Sequence, residues 1–199
     1  MKKDTLLSLK KHIISACRLV FDETRCLLGG VNREVQVDES LICRRGTIRS
    51  PKSTSDGIRD TTWIIGGIDN SIEKNVFIVV APNRRSETIE EILRQYVHLQ
   101  SKLLTDGYPS YPRAAQNLNL LHSVVDHSRV FINEQGENTN GIEGLWSNLK
   151  GKMRASNGVK RADVSEFGIE FQFKKKFLKN KSSAEIPNAF SLIIKKLLI

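Results

Sequence analysis

The sequence is poor in cysteine and has no long apolar run. Its three cysteines, Cys17, Cys26 and Cys43, are odd in number and form no CxxC pair, which indicates neither a disulfide framework nor a zinc ribbon. A reducing compartment fits this usage. Charged residues interrupt the most apolar region, residues 6–21, so no stretch reaches the roughly 18 to 20 apolar residues of a membrane helix. The same interruption argues against a signal peptide.

The composition is that of an ordinary globular protein with an excess of basic residues. Hydrophobic residues make up 39% and charged residues 27% of 199 positions, and the net charge is +9. This length suits one domain with its own core. The basic excess favours an anionic partner such as nucleic acid, because lysine and arginine bind phosphates by releasing condensed counterions.

Hydrophobic periodicity predicts helices and strands in a definite order. A helix over residues 4–28 should end at Gly29 and Gly30, and Ser86 should begin a later helix with a capping-box pattern. After the first helix, the predicted elements follow the order β, β, β, α, β, α, β, α, in which the helix at Ser86 is the first α. The predicted strands are 34–40, 61–68, 75–81, 102–106 and 123–126, and the predicted core helices are 86–96, 114–120 and 140–154.

This order predicts an α/β fold with a mixed five-stranded sheet flanked by helices, as in RNase H-like proteins. We divide the chain into an N-terminal helical segment (1–30), an RNase H-like core (31–160) and a C-terminal helical extension (161–199). In such a sheet the first and fourth strands are neighbours. Residues at the ends of these two strands should therefore face the same site.

Three acidic residues stand where this fold would bring them together. Asp38 and Asp106 follow strand-like runs, and Glu143 lies near the start of a helix-like stretch. Mg²⁺ prefers carboxylates and water, and two such ions about 4 Å apart can cleave a phosphodiester. Taken singly, each Asp is also an ordinary turn residue and the Glu an ordinary solvated helix residue.

Basic and aromatic residues near these acids are candidates for contacts with DNA. Lys150 lies two helical turns after Glu143 and on the same face of the helix. It either contacts the phosphate backbone near the metals or is a solvated surface lysine. Trp146, between Glu143 and Lys150, is either a core anchor, which we favour, or a base-stacking platform. Further candidates for phosphate contacts are Lys152 and Arg154 on this helix and Arg44, Arg45, Arg49 and Lys52 in a basic loop.

Five segments, taken in order, resemble the motifs of Merlin-type DNA transposases and their ISXO-like bacterial insertion-sequence relatives. They are Val35 to Ser40, Trp63 to Ile68, Thr105 to Tyr108 with Tyr111, Asp126 to Ser128 with Phe131, and Asn138 to Trp146 with Lys150. The resemblance spans about residues 30–177.

The resemblance implies a DDE transposase that uses Mg²⁺ or Mn²⁺ to hydrolyse DNA at transposon ends and to join the freed 3′-hydroxyl to target DNA. Asp38 and Asp106 match the first two acids. Either Glu143 or Asn140 matches the third position, and we choose Glu143 because a carboxylate ligates Mg²⁺ more strongly than an amide. Lys150 matches the basic residue that follows. The resemblance also implies a homo-oligomer, which would work in the nucleus of a eukaryotic host and otherwise in the cytoplasm.

The chain departs from the family pattern in three ways. It has Asp126 before His127 where Asn is common, and its loop from Arg44 to Asp56 is poorer in Lys and Gly than is usual in the family. It also has little room for an N-terminal DNA-recognition region. The alternative is therefore a truncated or domesticated derivative that binds DNA without catalysis. A third reading is a nuclease acting on RNA:DNA hybrids.

Overall fold

The computed structural model describes residues 3–24, 27–43, 61–125, 138–179 and 186–198. Two compact units make up the chain: Leu27–Val164, and Met1–Cys26 together with Ser165–Ile199. The boundaries after residues 30 and 160 that the sequence suggested stay a prediction. No helix in the described ranges is long and apolar enough to cross a membrane.

The larger unit contains a mixed five-stranded sheet of order β3-β2-β1-β4-β5, in which β1 pairs antiparallel with β2 and parallel with β4. The strands are β1 Glu34–Cys43, β2 Thr61–Asp69, β3 Val76–Ala81, β4 Lys102–Thr105 and β5 Leu121–Val124. The predicted order of strands and helices and the RNase H-like α/β fold are thus confirmed. The neighbouring of the first and fourth strands is confirmed with them.

Helices lie on both faces of this sheet. They are α2 Ser86–Tyr96, α3 Ser110–Asn117 and α4 Asn140–Ala155. Val35 and Val37 of β1 pack in one buried core with Ile89 of α2 and Tyr111 of α3. Gln36 and Asp38 face α4 instead, because successive side chains of a strand point to opposite faces of the sheet.

The described residues of the smaller unit form three helices: α1 Lys3–Glu23, α5 Val164–Phe177 and α6 Ile186–Leu197. Helix α5 begins one residue before the boundary between the units. The core of the smaller unit packs Ala16, Cys17 and Val20 of α1 against Phe173 and Ile193. Burial raises the pKa of the Cys17 thiol, which makes this cysteine a packing residue rather than a reactive one.

Two local predictions were wrong. Helix α1 ends at Glu23 rather than before Gly29, because Leu28 is 3% exposed in the core and pairs with Val97 instead of continuing the helix. Ser86 does not cap α2, whose N-cap residue Arg85 has no side-chain cap. The oxygen of Asn83 accepts hydrogen bonds from the Arg85 backbone and the Thr88 hydroxyl in its place.

The predicted strand ends also shifted. β1 continues to Cys43 instead of ending at Ser40, because its second half stays paired with β2. β5 lies two residues earlier than expected, at Leu121–Val124, because it pairs with Lys102–Thr105 in register. Both shifts come from partners far away in the sequence, which local periodicity does not contain.

Candidate functional site

Asp38 and Asp106 lie on neighbouring parallel strands. The pairing of β1 with β4 runs from Glu34 opposite Lys102 to Gln36 opposite Leu104, and the same register continued by two residues sets Asp38 beside Asp106. Since β4 ends at Thr105, β1 has no strand partner among the described residues on the β4 side beyond this point. The site is thus formed where the shorter strand stops, inside β1 rather than at its end.

The carboxylates of Asp38 and Asp106 share this place with a third one, that of Glu39. One ligand oxygen from each of the three lies within 4.8 Å of the others. Asp38 and Glu39 are partly buried and Asp106 is exposed. Three carboxylates at this spacing, one of them open to solvent, are a donor set that fits a hard divalent cation such as Mg²⁺ or Mn²⁺.

Asp38 faces α4. The indole Nε1–H of Trp146 donates a hydrogen bond of 2.8 Å to Asp38 Oδ2. Desolvation raises the pKa of Asp38 to about 6, although the bond from Trp146 acts in the lowering direction and the charge of Asp106 in the raising one. Partial burial thus gives Asp38 a proton affinity unusual for an aspartate, as is frequent at functional sites.

Glu39 faces the opposite side of the sheet, toward α3. Arg84 Nη1 donates to Glu39 Oε1 at 3.0 Å, and the Tyr111 hydroxyl donates to Glu39 Oε2 at 3.0 Å. Desolvation raises the pKa of Glu39, while these two donors act to lower it. Burial and the nearby carboxylates in turn raise the pKa of Tyr111 well above its ordinary value, so the phenol stays a donor.

Asp106 begins the turn that follows β4. Its Oδ1 accepts the backbone N–H of Tyr108 at 3.1 Å. Gly107 between them has φ of +90°, a left-handed conformation that glycine adopts without strain. The turn therefore orients Asp106 by a local hydrogen bond while leaving its carboxylate exposed to solvent.

Helix α4 carries the other predicted site residues. Asn140 is its first residue and is exposed, Glu143 is exposed in its first turn, and Lys150 is half-buried two turns later. Lys152 and Arg154 are exposed in its last turn. Among the described residues, Glu143 is not one of the carboxylates that share the 4.8 Å cluster.

Several predicted residues lie outside the described part of the chain. These are the basic-loop residues Arg44, Arg45, Arg49 and Lys52, and the motif Asp126 to Ser128 with Phe131. Their roles stay predictions.

Glu39 and Arg84 are the members of this arrangement that sequence reasoning missed. Glu39 follows Asp38 directly in the sequence, and Arg84 lies 45 positions after Glu39. A second acid directly after the first was the one available signal. Trp146 was predicted as a core anchor, and its exposed fraction of 6% agrees with that.

Comparisons with known proteins indicate a transposase family. The model of the ISXO2-like transposase domain family matches residues 27–175, which include both aspartates and α4. An uncharacterised transposase-like protein of Haemophilus influenzae (strain ATCC 51907 / DSM 11121 / KW20 / Rd) is 32% identical over 84 residues, 42% of this chain and 67% of that protein.

A crystal structure of a pre-cleavage Mos1 transpososome aligns at 11% identity with a TM-score of 0.35. The alignment covers 93% of this chain and 61% of that one, so the chain spans less than two thirds of the solved transposase. The family match over most of the sequence decides the assignment. The chain belongs to the ISXO2-like transposase domain family.

Proposed function

We propose that this chain is a DDE transposase core that cleaves DNA at transposon ends and joins the freed 3′-hydroxyl to target DNA, with two Mg²⁺ or Mn²⁺ ions. One observation carries the proposal. The carboxylates of Asp38 and Asp106 meet within 4.8 Å at the open edge of an RNase H-like sheet, in a chain of a transposase family.

The acids have distinct roles in this proposal. Asp38 and Asp106 hold the metals, and Glu143 on α4 supplies the third carboxylate, with Asn140 as the alternative at that place. When bound, the two ions activate the attacking oxygen and stabilise the leaving one. The choice of Glu143 rests on the stronger binding of Mg²⁺ by a carboxylate than by an amide, and the Glu143→Gln and Asn140→Ala variants would separate the two.

Basic residues place the DNA backbone in this proposal. Lys150 contacts a phosphate close to the metals, and Lys152 and Arg154 continue the positive surface along α4. Arg44, Arg45, Arg49 and Lys52 of the basic loop track phosphates on the same substrate. The assembly is a homo-oligomer on paired transposon ends, in the nucleus of a eukaryotic host or in a bacterial cytoplasm.

The test is nicking of supercoiled plasmid DNA in the presence of Mn²⁺. The wild-type protein should nick, and Asp38→Asn and Asp106→Asn should lose at least 100-fold in rate, because each removes a metal ligand while keeping side-chain size. The matched control is Glu73→Gln, which removes an exposed acid in the turn between β2 and β3.

Two results would contradict the proposal. Nicking that persists in Asp38→Asn would place the reaction elsewhere or in a contaminant. DNA binding by the wild type without any Mn²⁺-dependent nicking would favour the non-catalytic DNA-binding derivative. Preference for an RNA:DNA hybrid over duplex DNA in competition would favour the hybrid nuclease instead.

A further inference from the structure

Trp146 makes a contact with the candidate site that its motif position alone does not explain. Its indole donates the 2.8 Å hydrogen bond to Asp38 Oδ2, and its side chain is almost fully buried. A ring that is 6% exposed offers no face on which a DNA base could stack. The contact with Asp38 is therefore the polar function left to this side chain.

The place of the indole ring is fixed by a missing side chain on β2. Gly66 stands directly opposite Asp38 in the antiparallel pairing of β1 with β2. A Cβ atom at position 66 would lie 2.5 Å from Trp146 Cη2, closer than real Cβ contacts come. The ring thus occupies the space over Gly66, and from there its N–H reaches the carboxylate on the adjacent strand.

A second contact holds the same helix on the same strand. Gln36 Oε1 accepts the backbone N–H of Ile142 at 3.0 Å, and a Cβ at Gly141 would lie 2.7 Å from that oxygen. Gln36 and Asp38 are two residues apart in β1 and therefore face α4 together. The first half of α4 is held on β1 by one amide and one carboxylate.

We propose that Trp146 is a positioning residue, which orients the Asp38 carboxylate for metal binding and sets α4, with Glu143 one turn earlier, over the metal site. The inference rests on the function proposed above. Oδ2 receives the indole N–H, so the rotation of the carboxylate is fixed and Oδ1 is directed away from the indole. Groups that orient metal ligands in this way typically affect metal affinity or activity by about 10- to 100-fold.

The first test is Mn²⁺ binding by calorimetry in Trp146→Phe, which keeps a buried ring and removes the donor. We expect the dissociation constant to rise about 10- to 100-fold with unchanged circular dichroism. Gly66→Ala, which keeps the donor but displaces the ring, should weaken binding in the same way. Leu149→Val is the matched control, because it alters a fully buried residue of the same helix without removing the hydrogen bond to Asp38. It should lower the melting temperature and leave Mn²⁺ affinity unchanged.

The second test uses the unaltered site, so it does not depend on the folding of a Trp146 variant. In ¹⁵N-tryptophan-labelled protein the chain gives two indole N–H resonances, and Trp63→Phe identifies that of Trp146. Titration with diamagnetic Mg²⁺ should shift the Trp146 resonance with the same dissociation constant that calorimetry gives for Mg²⁺. The shift should vanish in Asp38→Asn.

The outcomes separate this inference from the proposed function. Wild-type Mn²⁺ affinity in folded Trp146→Phe, or an indole resonance that ignores saturating Mg²⁺, would overturn the positioning role while leaving the metal site in place. Metal binding that survives in Asp38→Ala would overturn the proposed function itself.

Discussion

Arg84 donates to Glu39 across 3.0 Å, and the carboxylate of this ion pair belongs to the acidic cluster. The side chain of Glu39 is 6% exposed and that of Arg84 30%. The guanidinium carbon also lies 3.8 Å from the ring centroid of Trp63 and 4.4 Å from that of Tyr108. Arg84 thus links β1, β2 and the turn after Asp106 around one buried charge, and supplies a positive charge where three carboxylates meet.

Breaking this pair should destabilise the protein. Arg84→Met leaves Glu39 buried without its countercharge, and we expect a loss on the order of 2 kcal/mol in the free energy of unfolding, below the value for a fully buried pair because Arg84 is partly exposed. Arg84→Lys keeps the charge but loses the stacking of the flat guanidinium on the rings. Its free energy of unfolding should lie between those of the wild type and Arg84→Met. Urea denaturation measures both.

The control for this prediction is Arg94→Met. Arg94 pairs with Glu90 on α2 at 2.7 Å, but its side chain is 59% exposed. An exposed pair one turn apart contributes little to stability because water screens both charges. If Arg84→Met and Arg94→Met lowered the free energy of unfolding equally, the burial of Glu39 would add nothing to the stability that its ion pair contributes.

The stability of the metal-free protein should rise at neutral pH when Asp38 is made neutral. The folded-state pKa of about 6 exceeds the ordinary value of 3.8, so the folded state holds the proton more tightly than the unfolded one. This contribution to stability is full below pH 3.8 and is lost as the pH rises through 6. Asp38→Asn should therefore gain on the order of 2 kcal/mol over the wild type at pH 7.5, and less at pH 4.5.

Urea denaturation of the wild type and Asp38→Asn at both pH values, with a chelator present, measures this difference. Glu73→Gln is the control, since its exposed carboxylate should give no such gain. A gain for Asp38→Asn that is the same at both pH values would contradict the ionisation argument.

Metal affinity should depend on pH for the same reason. Protons compete with the metal at Asp38. Between pH 7.5 and 7 the Mn²⁺ dissociation constant should change little, and below pH 6 it should rise by up to about tenfold per unit. Calorimetry in buffers of equal ionic strength tests this, and a constant affinity down to pH 5 would contradict it.

Lys150 should affect DNA binding and nicking differently from Lys152, the other lysine of α4. Lys150→Gln and Lys152→Gln should each lower the salt dependence of DNA affinity by about one unit of slope, as expected for one lost phosphate contact. In addition, Lys150→Gln should slow nicking at saturating DNA, because we place this residue near the metals. Lys74→Gln, in the turn between β2 and β3, is the control. A nicking rate that falls equally in all three variants would exclude a special role of Lys150.

The sequence predicted the elements of the site well where local pattern was enough. Asp38 lies in β1 and Asp106 directly follows β4. Glu143 lies in α4, as predicted. The meeting of the two aspartates followed from one topological rule, that the first and fourth strands of this sheet are neighbours. The role of Glu143 as third ligand stays a prediction.

The sequence alone determined the order of the elements and the places of the two aspartates in that order, because side-chain periodicity and turn residues act over a few positions. Only the tertiary structure decided what surrounds those aspartates. Arg84, Tyr111 and Trp146 reach β1 from 45, 72 and 108 positions away. Contacts at such separations depend on how helices pack on the sheet and on where glycine leaves room for a ring, and no local pattern encodes either.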